Sequence, residues 1–335
     1  MMAATHGRPP GMMAVAKHAG VSHQTVSRVL NTPDSVRPQT REKVLASMAE
    51  LGFRRNLAAR ALVTQLTGLV GIVWTGSGYF GPGSTVAAIE VEARAAGYSA
   101  LVAAVSDRDE EELAAVFSAF RDRGVEGIAV VAPHQHMAEL IRAASSGVPT
   151  VIVADMGPDP EFHVVSVDQR RGAEMATNHL LQHGAQTVAH VSGPLDWFDA
   201  LARIRGHADA LSAAGLESPR AWVGDWTARR GYEIAHEMVA ADAVPPAIFC
   251  GNDMTALGML AAFREVGLEA PADVMVIGFD DVDGAGYFAP PLTTVRQPFD
   301  ELGALCMDVL LRAIGGEEPA VHTIDPVLVA RTSVR

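Results

Sequence analysis

The sequence predicts an α/β protein: a small all-α helix-turn-helix head in front of a two-lobed body built on parallel sheets. Three observations predict it. A turn followed by a helix with a polar outer face lies within the first 31 residues. From residue 68 onward, short apolar runs alternate with helical stretches almost to the end. The charge is also divided. Residues 1–66 hold nine Lys or Arg against three Asp or Glu, a net of +6, and the rest holds 17 basic against 36 acidic residues, a net of −19. A basic head on an acidic body suggests a nucleic-acid module joined to something else. The acidic body repels phosphate and confines contact to the head.

The head is read in order. A short helix at 12–19 comes first, and Gly20 takes the positive φ that ends it. Val21 is the apolar plug of the turn, and Ser22 is a good N-cap for the second helix. Val26, Val29 and Leu30, at i, i+3 and i+4, form one inward stripe. His23, Gln24, Ser27 and Arg28 are left on the outer face. Arg reads guanine, Gln reads adenine, and Ser and His take bases or phosphates in a major groove. The competing reading is an amphipathic helix pair with a solvated outer face, and the segments that follow weigh against it. Asn31-Thr32-Pro33-Asp34-Ser35 is a turn cluster. Pro38 suits a first helical position, and Val44, Leu45, Met48 and Leu51 mark a third helix ended by Gly52. Arg54-Arg55-Asn56-Leu57-Ala58-Ala59-Arg60-Ala61-Leu62-Val63 is helix-prone but short, and such a helix is marginal alone in water. It reads as a segment that orders on DNA, or else as a plain linker. The head covers 1–55, this hinge 56–66 and the body 67–335.

In the body, strand-like runs at 69–74, 100–105, 128–131 and 150–154 alternate with helical stretches near 85–96, 110–122 and 137–145. The rhythm resumes with runs at 164–167, 188–192, 222–225, 247–250 and 274–279, separated by helices at 172–183, 203–213, 231–239 and 254–266. Apolar strands in βα alternation mean parallel sheets covered by helices on both faces. So long a run suits two lobes better than one sheet. After a crossing strand at 293–298 come a helix near 301–313 and tail strands around 324–329. The expected N-lobe is about 67–166 plus 299–326, and the C-lobe about 167–298 plus 327–335. Ligands of open α/β sheets sit at the carboxyl ends of the strands, so two facing lobes place a small-molecule cleft between them.

Composition excludes other classes. The chain is 49% hydrophobic and 19% charged, as in ordinary soluble proteins. No apolar run reaches the roughly 18 residues of a membrane span. The first ten residues lack the apolar core of a signal peptide, so a cytoplasmic protein is expected. Cys250 and Cys306, the two cysteines, lie in apolar surroundings and read as buried free thiols in a reducing compartment.

The ordered motifs carry a family resemblance. The head has Val15-Ala16-Lys17-His18-Ala19-Gly20-Val21-Ser22, Thr25-Val26-Ser27-Arg28-Val29-Leu30-Asn31 and Thr40-Arg41-Glu42-Lys43-Val44. The body has Ala247-Ile248-Phe249-Cys250-Gly251-Asn252-Asp253 with Ala256-Leu257-Gly258, Gly278-Phe279-Asp280-Asp281, and Pro291-Leu292-Thr293-Thr294-Val295. With these the chain resembles the lactose-repressor (LacI/GalR) family of bacterial transcription regulators over nearly its whole length. The resemblance implies a periplasmic-binding-protein-like body and a homodimer with two heads on a pseudo-palindromic operator in double-stranded DNA. It assigns base reading to His23, Gln24 and Arg28, and positions near phosphates to Ser22, Thr25, Ser27 and Asn31. It makes Leu62 a minor-groove wedge, with Ala59 one turn earlier on the same face. Two departures stand out. His23 replaces the aromatic of some relatives, and Arg37 replaces a Ser or Thr cap. The tetramer-forming heptad tail of some relatives is not seen before Arg335, which favours a dimer.

The cleft is read on the same footing. Asp155, Trp226, Asn252 and Asp280 end strands, and Arg203 matches the family's ligand-binding arginine. Asp199, Thr75 and Phe299 are expected at the rim. Carboxylates, amide and guanidinium suit sugar hydroxyls, and an indole covers the apolar face of a sugar ring. Each residue would also serve as a loop or cap. Asp280-Asp281 has the composition of a glycosidase pair, but adjacent strand residues point to opposite faces. His134-Gln135-His136 lacks an evident third metal ligand and is read as exposed loop histidines, with no metal expected. Glu110-Glu111-Glu112 reads as a solvated helix start favoured by the macrodipole. No nucleophile–base pair, phosphate loop or cofactor motif is present, so neither an enzyme nor a cofactor is expected. The expected function is a repressor whose operator affinity a small carbohydrate effector lowers. The alternatives are a purine or nucleoside corepressor on the same architecture and, further off, a solute-binding protein.

Overall fold

The computed structural model describes residues 10–53, 66–75, 78–106, 109–132, 134–219 and 221–335. The chain divides into two compact units, Met1–Thr67 and Gly68–Arg335. In the first, helices α1 (Met12–Ala19), α2 (His23–Asn31) and α3 (Pro38–Glu50) surround one small core. Gly20 sits at φ 63°, and its N–H donates to the carbonyls of Ala16 and Lys17, closing α1. Ser22 caps α2 by accepting the Thr25 N–H at 3.1 Å. Val15, Ala19, Val26, Val29, Val44 and Met48 are buried together. Leu45 is 50% exposed, so the inward stripe of α3 is narrower than its spacing suggests. Arg37 supplies no side-chain cap, and Pro38 opens α3. Residues 54–65, with Ala59 and Leu62, lie outside the described residues.

The second unit carries two parallel sheets. Strands β1 (Leu69–Trp74), β2 (Ser99–Ala104), β3 (Gly127–Val131), β4 (Thr150–Val153) and β5 (His163–Val167) belong to the first lobe. Strands β6 (Ala189–Ser192), β7 (Trp222–Val223), β8 (Ala247–Cys250) and β9 (Met275–Ile277) belong to the second. β10 (Thr294–Arg296), β11 (Val321–Ile324) and β12 (Val327–Val329) follow. The sheet orders are β11-β5-β4-β3-β1-β2 and β7-β6-β8-β9, and β10 pairs antiparallel with β12. The chain therefore crosses between lobes after β5, after β10 and between β11 and β12.

Helices cover both faces of each sheet, which is why β3, β4, β5, β6, β8 and β9 are buried at every residue. The edge strand β2 has only exposed and half-buried residues. The covering helices are α4 (Phe80–Ala95), α5 (Glu110–Asp122) and α6 (Ala138–Ala144), then α7 (Gln169–Gln182), α8 (Phe198–Ala213), α9 (Ala228–Ala240), α10 (Asp253–Glu265) and α11 (Phe299–Ile314). α4 and α11 share a core with the first sheet around Ile72, Ile89 and Leu310. α9 and α10 cover the second around Ile234, Phe263 and Val276.

Among the helices that begin earlier than their apolar periodicity suggests are α4 at Phe80, α7 at Gln169 and α8 at Phe198. The N–H groups of a first turn make no intrahelical bond, so Pro82 costs none there, and Gly81 and Gly83 interrupt no core-facing stripe. These first turns line the cleft rather than the core. Gly206 fixes the approach of α8 to α7: a Cβ there would lie 2.0 Å from the Arg170 carbonyl oxygen. That close approach sets Arg203, one turn earlier on α8, beside Gln169 at the start of α7.

Candidate functional site

Two surfaces carry polar chemistry. On the head, Ser22, His23, Gln24, Arg28 and Asn31 are exposed and Thr25 and Ser27 half-exposed, so all seven lie on the outer face or ends of α2. The internal bonds of this face are local. The hydroxyls of Ser22 and Thr25 lie 2.9 Å apart, and Asn31 donates to the Ser27 hydroxyl at 3.2 Å. Both leave the tips of Gln24 and Arg28 pointing into solvent on a helix held from behind by Val26 and Val29.

On the body, a cavity partly open to solvent lies between the lobes. Its floor is a closed ring of buried polar side chains. Arg203 donates from Nε to Gln169 Oε1 at 2.9 Å and from Nη1 to the Gly251 carbonyl. Gln169 Nε2 donates to Gln297 Oε1 at 2.8 Å. Gln297 Nε2 donates to Asp280 Oδ1 at 2.7 Å, and that oxygen lies 3.9 Å from Arg203 Nη2. The Arg203 guanidinium also rests 3.8 Å from the centre of the Phe279 ring. Burial pushes the Asp280 carboxyl up to about 6, against the pull of Arg203 and the Gln297 amide. Burial likewise raises Asp199, with Arg203 opposing.

The walls are aromatic. Trp197 meets Tyr79 edge-on at 5.6 Å and Trp226 at 5.8 Å. Phe80 meets Phe299 at 5.7 Å. Trp226 is held at a left-handed φ of 68°. Asn252 fixes it by donating to its carbonyl at 3.0 Å and caps α10 by accepting the Thr255 N–H at 2.9 Å. The buried indole N–H of Trp226 meets no acceptor among the described residues.

Of the expected effector residues, Arg203, Trp226, Asn252, Asp280, Asp199 and Phe299 line this cavity. Asp155 and Thr75 are not among its lining residues. Asp155 turns back and accepts the Gln169 N–H at 3.1 Å, while its own N–H donates to Asp199 at 2.9 Å. Burial, then the charge of Asp199, raises its carboxyl to about 6. Thr75 is 1% exposed and donates to the Ala132 carbonyl behind β1. Sequence reasoning missed Tyr79, Phe80, Gln169, Trp197 and Gln297. Asp281 turns away from Asp280 to Arg296 at 2.7 Å and Arg331 at 2.6 Å, so the two carboxylates do not flank one bond. The reading of His134 as an exposed loop residue is corrected. It is 4% exposed, and its Nδ1 lies 2.7 Å from Asp196 Oδ2. Asp196 is the third donor that local sequence did not reveal. Cys250 and Cys306 are buried free thiols.

Residues 12–56 match bacterial regulatory proteins of the lacI family, and residues 177–334 match the periplasmic binding protein-like domain. The lactose operon repressor of Escherichia coli K12 is 32% identical over 96% of this chain and 89% of its own length. The chain belongs to the lacI family. The HTH-type transcriptional repressor PurR of Pasteurella multocida is 33% identical over 96% of this chain and 97% of that one. The crystal structure of the lac repressor dimer bound to operator and the anti-inducer ONPF superposes with a TM-score of 0.87 at 31% identity, covering 97% of this chain and 99% of that one. As a lacI-family member the chain is a DNA-binding transcriptional repressor with an effector-binding domain, not an enzyme. Among the described residues no helix is long and apolar enough to cross a membrane.

Proposed function

We propose that this repressor works in the cytoplasm as a homodimer on a pseudo-palindromic operator, and that a small carbohydrate bound between its lobes lowers its operator affinity. The observation that carries the effector reading is the pairing of the polar ring with the indoles. Arg203, Asp280 and their glutamine partners offer charge-assisted donors and acceptors for hydroxyls. Trp197 and Trp226 offer flat apolar faces for the C–H side of a sugar ring. Asp155 acts from behind by placing Asp199 and the first N–H of α7. In the head, His23, Gln24 and Arg28 read bases, Ser22, Thr25, Ser27 and Asn31 lie near phosphates, and Leu62 with Ala59 forms the minor-groove wedge of the hinge. The sugar favours one lobe arrangement, and operator affinity shifts by the free energy that separates its affinities for the two.

The aromatic walls also favour a second reading, a purine or nucleoside corepressor stacked on the same rings. One experiment separates the two. DNA selected by the protein from a random pool serves as operator in a band-shift titration against mono- and disaccharides, purines and nucleosides. A carbohydrate that releases the DNA is expected. A purine that tightens the complex instead establishes the second reading. A complex indifferent to every carbohydrate ends the first.

A further inference from the structure

His134 and His136 follow β3 in the first lobe, and Asp196 follows β6 in the second. Their loops meet at the rim of the cleft. His134 and Trp197 form an antiparallel bridge, the Gln135 N–H donates to the Asp196 carbonyl at 2.9 Å, and His134 Nδ1 lies 2.7 Å from Asp196 Oδ2. The His134 ring stands edge-on to Trp197 at 4.9 Å and tilted to His136 at 5.6 Å. The chain enters this loop through Ala132 at φ 53°, a left-handed conformation that a Cβ-bearing residue holds only when its surroundings enforce it. One donor atom from each of His134, His136 and Asp196 lies within 4.8 Å of the others.

We propose that His134, His136 and Asp196 bind a divalent transition metal that ties the two lobes together at the mouth of the cleft. Two imidazoles and a carboxylate are a donor set that zinc favours. Tetrahedral arms of about 2.0–2.1 Å put donors about 3.3 Å apart, so two small adjustments complete the site. The exposed His136 closes in by a rotamer change, and the His134–Asp196 pair opens from 2.7 Å. The metal replaces the hydrogen bond between Nδ1 and Oδ2, binding the neutral imidazole through Nδ1 while Nε2 carries the ring's single proton. Water fills the fourth position. Burial of His134 pre-sets one ligand. Because the ligands come from both lobes, metal affinity depends on lobe approach, and by linkage the metal favours that approach.

The test uses the full chain, stripped with a chelator and then titrated with zinc chloride by calorimetry and equilibrium dialysis. One zinc per chain at micromolar or tighter affinity is expected. His136→Ala and Asp196→Asn, both outside the cavity, weaken binding about tenfold or more, with circular dichroism confirming their fold. His183→Ala, in the His179–His183 pair at the C-terminal end of α7, leaves binding unchanged. Cobalt in place of zinc shows the intense visible bands of a four-coordinate site, and these fade in both rim variants. Failure of the wild-type chain to hold one zinc overturns the proposal. So does unaltered binding in both rim variants, because the metal is then held elsewhere.

Discussion

The outer face of α2 and the floor of the cleft are both polar, yet they are built in opposite ways. His23, Gln24 and Arg28 stand exposed on a helix whose stability comes from its other face. Arg203 and Asp280 are almost wholly buried and locked to each other through Gln169 and Gln297. A reader whose complement arrives as a DNA groove keeps its donors in water and contributes little to the fold. A cleft whose polar groups are desolvated during folding must satisfy them internally first, because an unpartnered buried polar group is costly. Substitution in the cleft therefore damages both fold and binding, whereas substitution on α2 damages binding alone.

The largest effect is expected at Arg203. Arg203→Ala leaves the Asp280 carboxylate buried without its cation, and breaking a buried pair in this way costs about 3–5 kcal/mol. Urea denaturation of the body at pH 8 is the measurement. The loss is smaller at pH 5, where Asp280 takes a proton, and the Arg203→Ala, Asp280→Asn double variant recovers part of it. Effector response disappears in both. A loss no larger than that of an exposed substitution would show that the ring does not support the fold, and the contrast with α2 would fail.

A middle-sized effect is expected on the head. Arg28→Ala weakens operator binding by about 1–3 kcal/mol and relaxes base preference at one position of each half-site. Its melting temperature and its effector affinity stay at the wild-type values. Equal losses on operator and random DNA would mean that Arg28 touches only phosphate.

The two regions also differed in how far their sequence could be read. The head depends on neighbours in the chain. Gly20 ends α1, Ser22 caps α2, and Val26 and Val29 mark the buried face, all within a few residues of what they act on. The cleft depends on partners far apart. Gln169 and Gln297, 128 positions apart, bond only because the chain returns to the first lobe after β10. Phe80-Gly81-Pro82 reads locally as a loop because the first turn of α4 faces the cavity and carries no core periodicity. Asp155 has the strand-end position of a ligand contact, but its side chain turns to the Gln169 N–H instead. His134 looks solvated beside Gln135 until the second lobe brings Trp197 and Asp196 against it. The fold class was legible because strand ends and helix starts mark themselves, and six of the cavity-lining residues were legible through the family resemblance. The direction of a side chain at those ends was not.

The smallest effect tests how far the buried network reaches beneath the ring. Asp253, at the start of α10, accepts the Thr294 hydroxyl at 2.5 Å and the Val282 N–H at 2.8 Å. Burial, then the charge of Asp280, pushes its carboxyl up to about 8. Its pKa is raised, so folding binds its proton: that stability is complete below about pH 4 and is lost as pH rises through 8. The buried His190 and His207 have the opposite sign. Burial lowers them to about 3 and about 4, so their contribution is complete above pH 6.5 and is lost on acidification. Asp155 and Asp280, raised to about 6, oppose the histidines between pH 4 and 6.5. Above pH 6.5, Asp253 still titrates, and Asp199, whose carboxyl burial also raises, acts with the same sign. The stability of the body should then fall between pH 6.5 and 8 by on the order of 1 kcal/mol per pH unit. Asp253→Asn cannot ionise and should flatten that decline while leaving the acid limb set by the histidines. Parallel slopes in the two proteins would place Asp253 outside the proton-linked network.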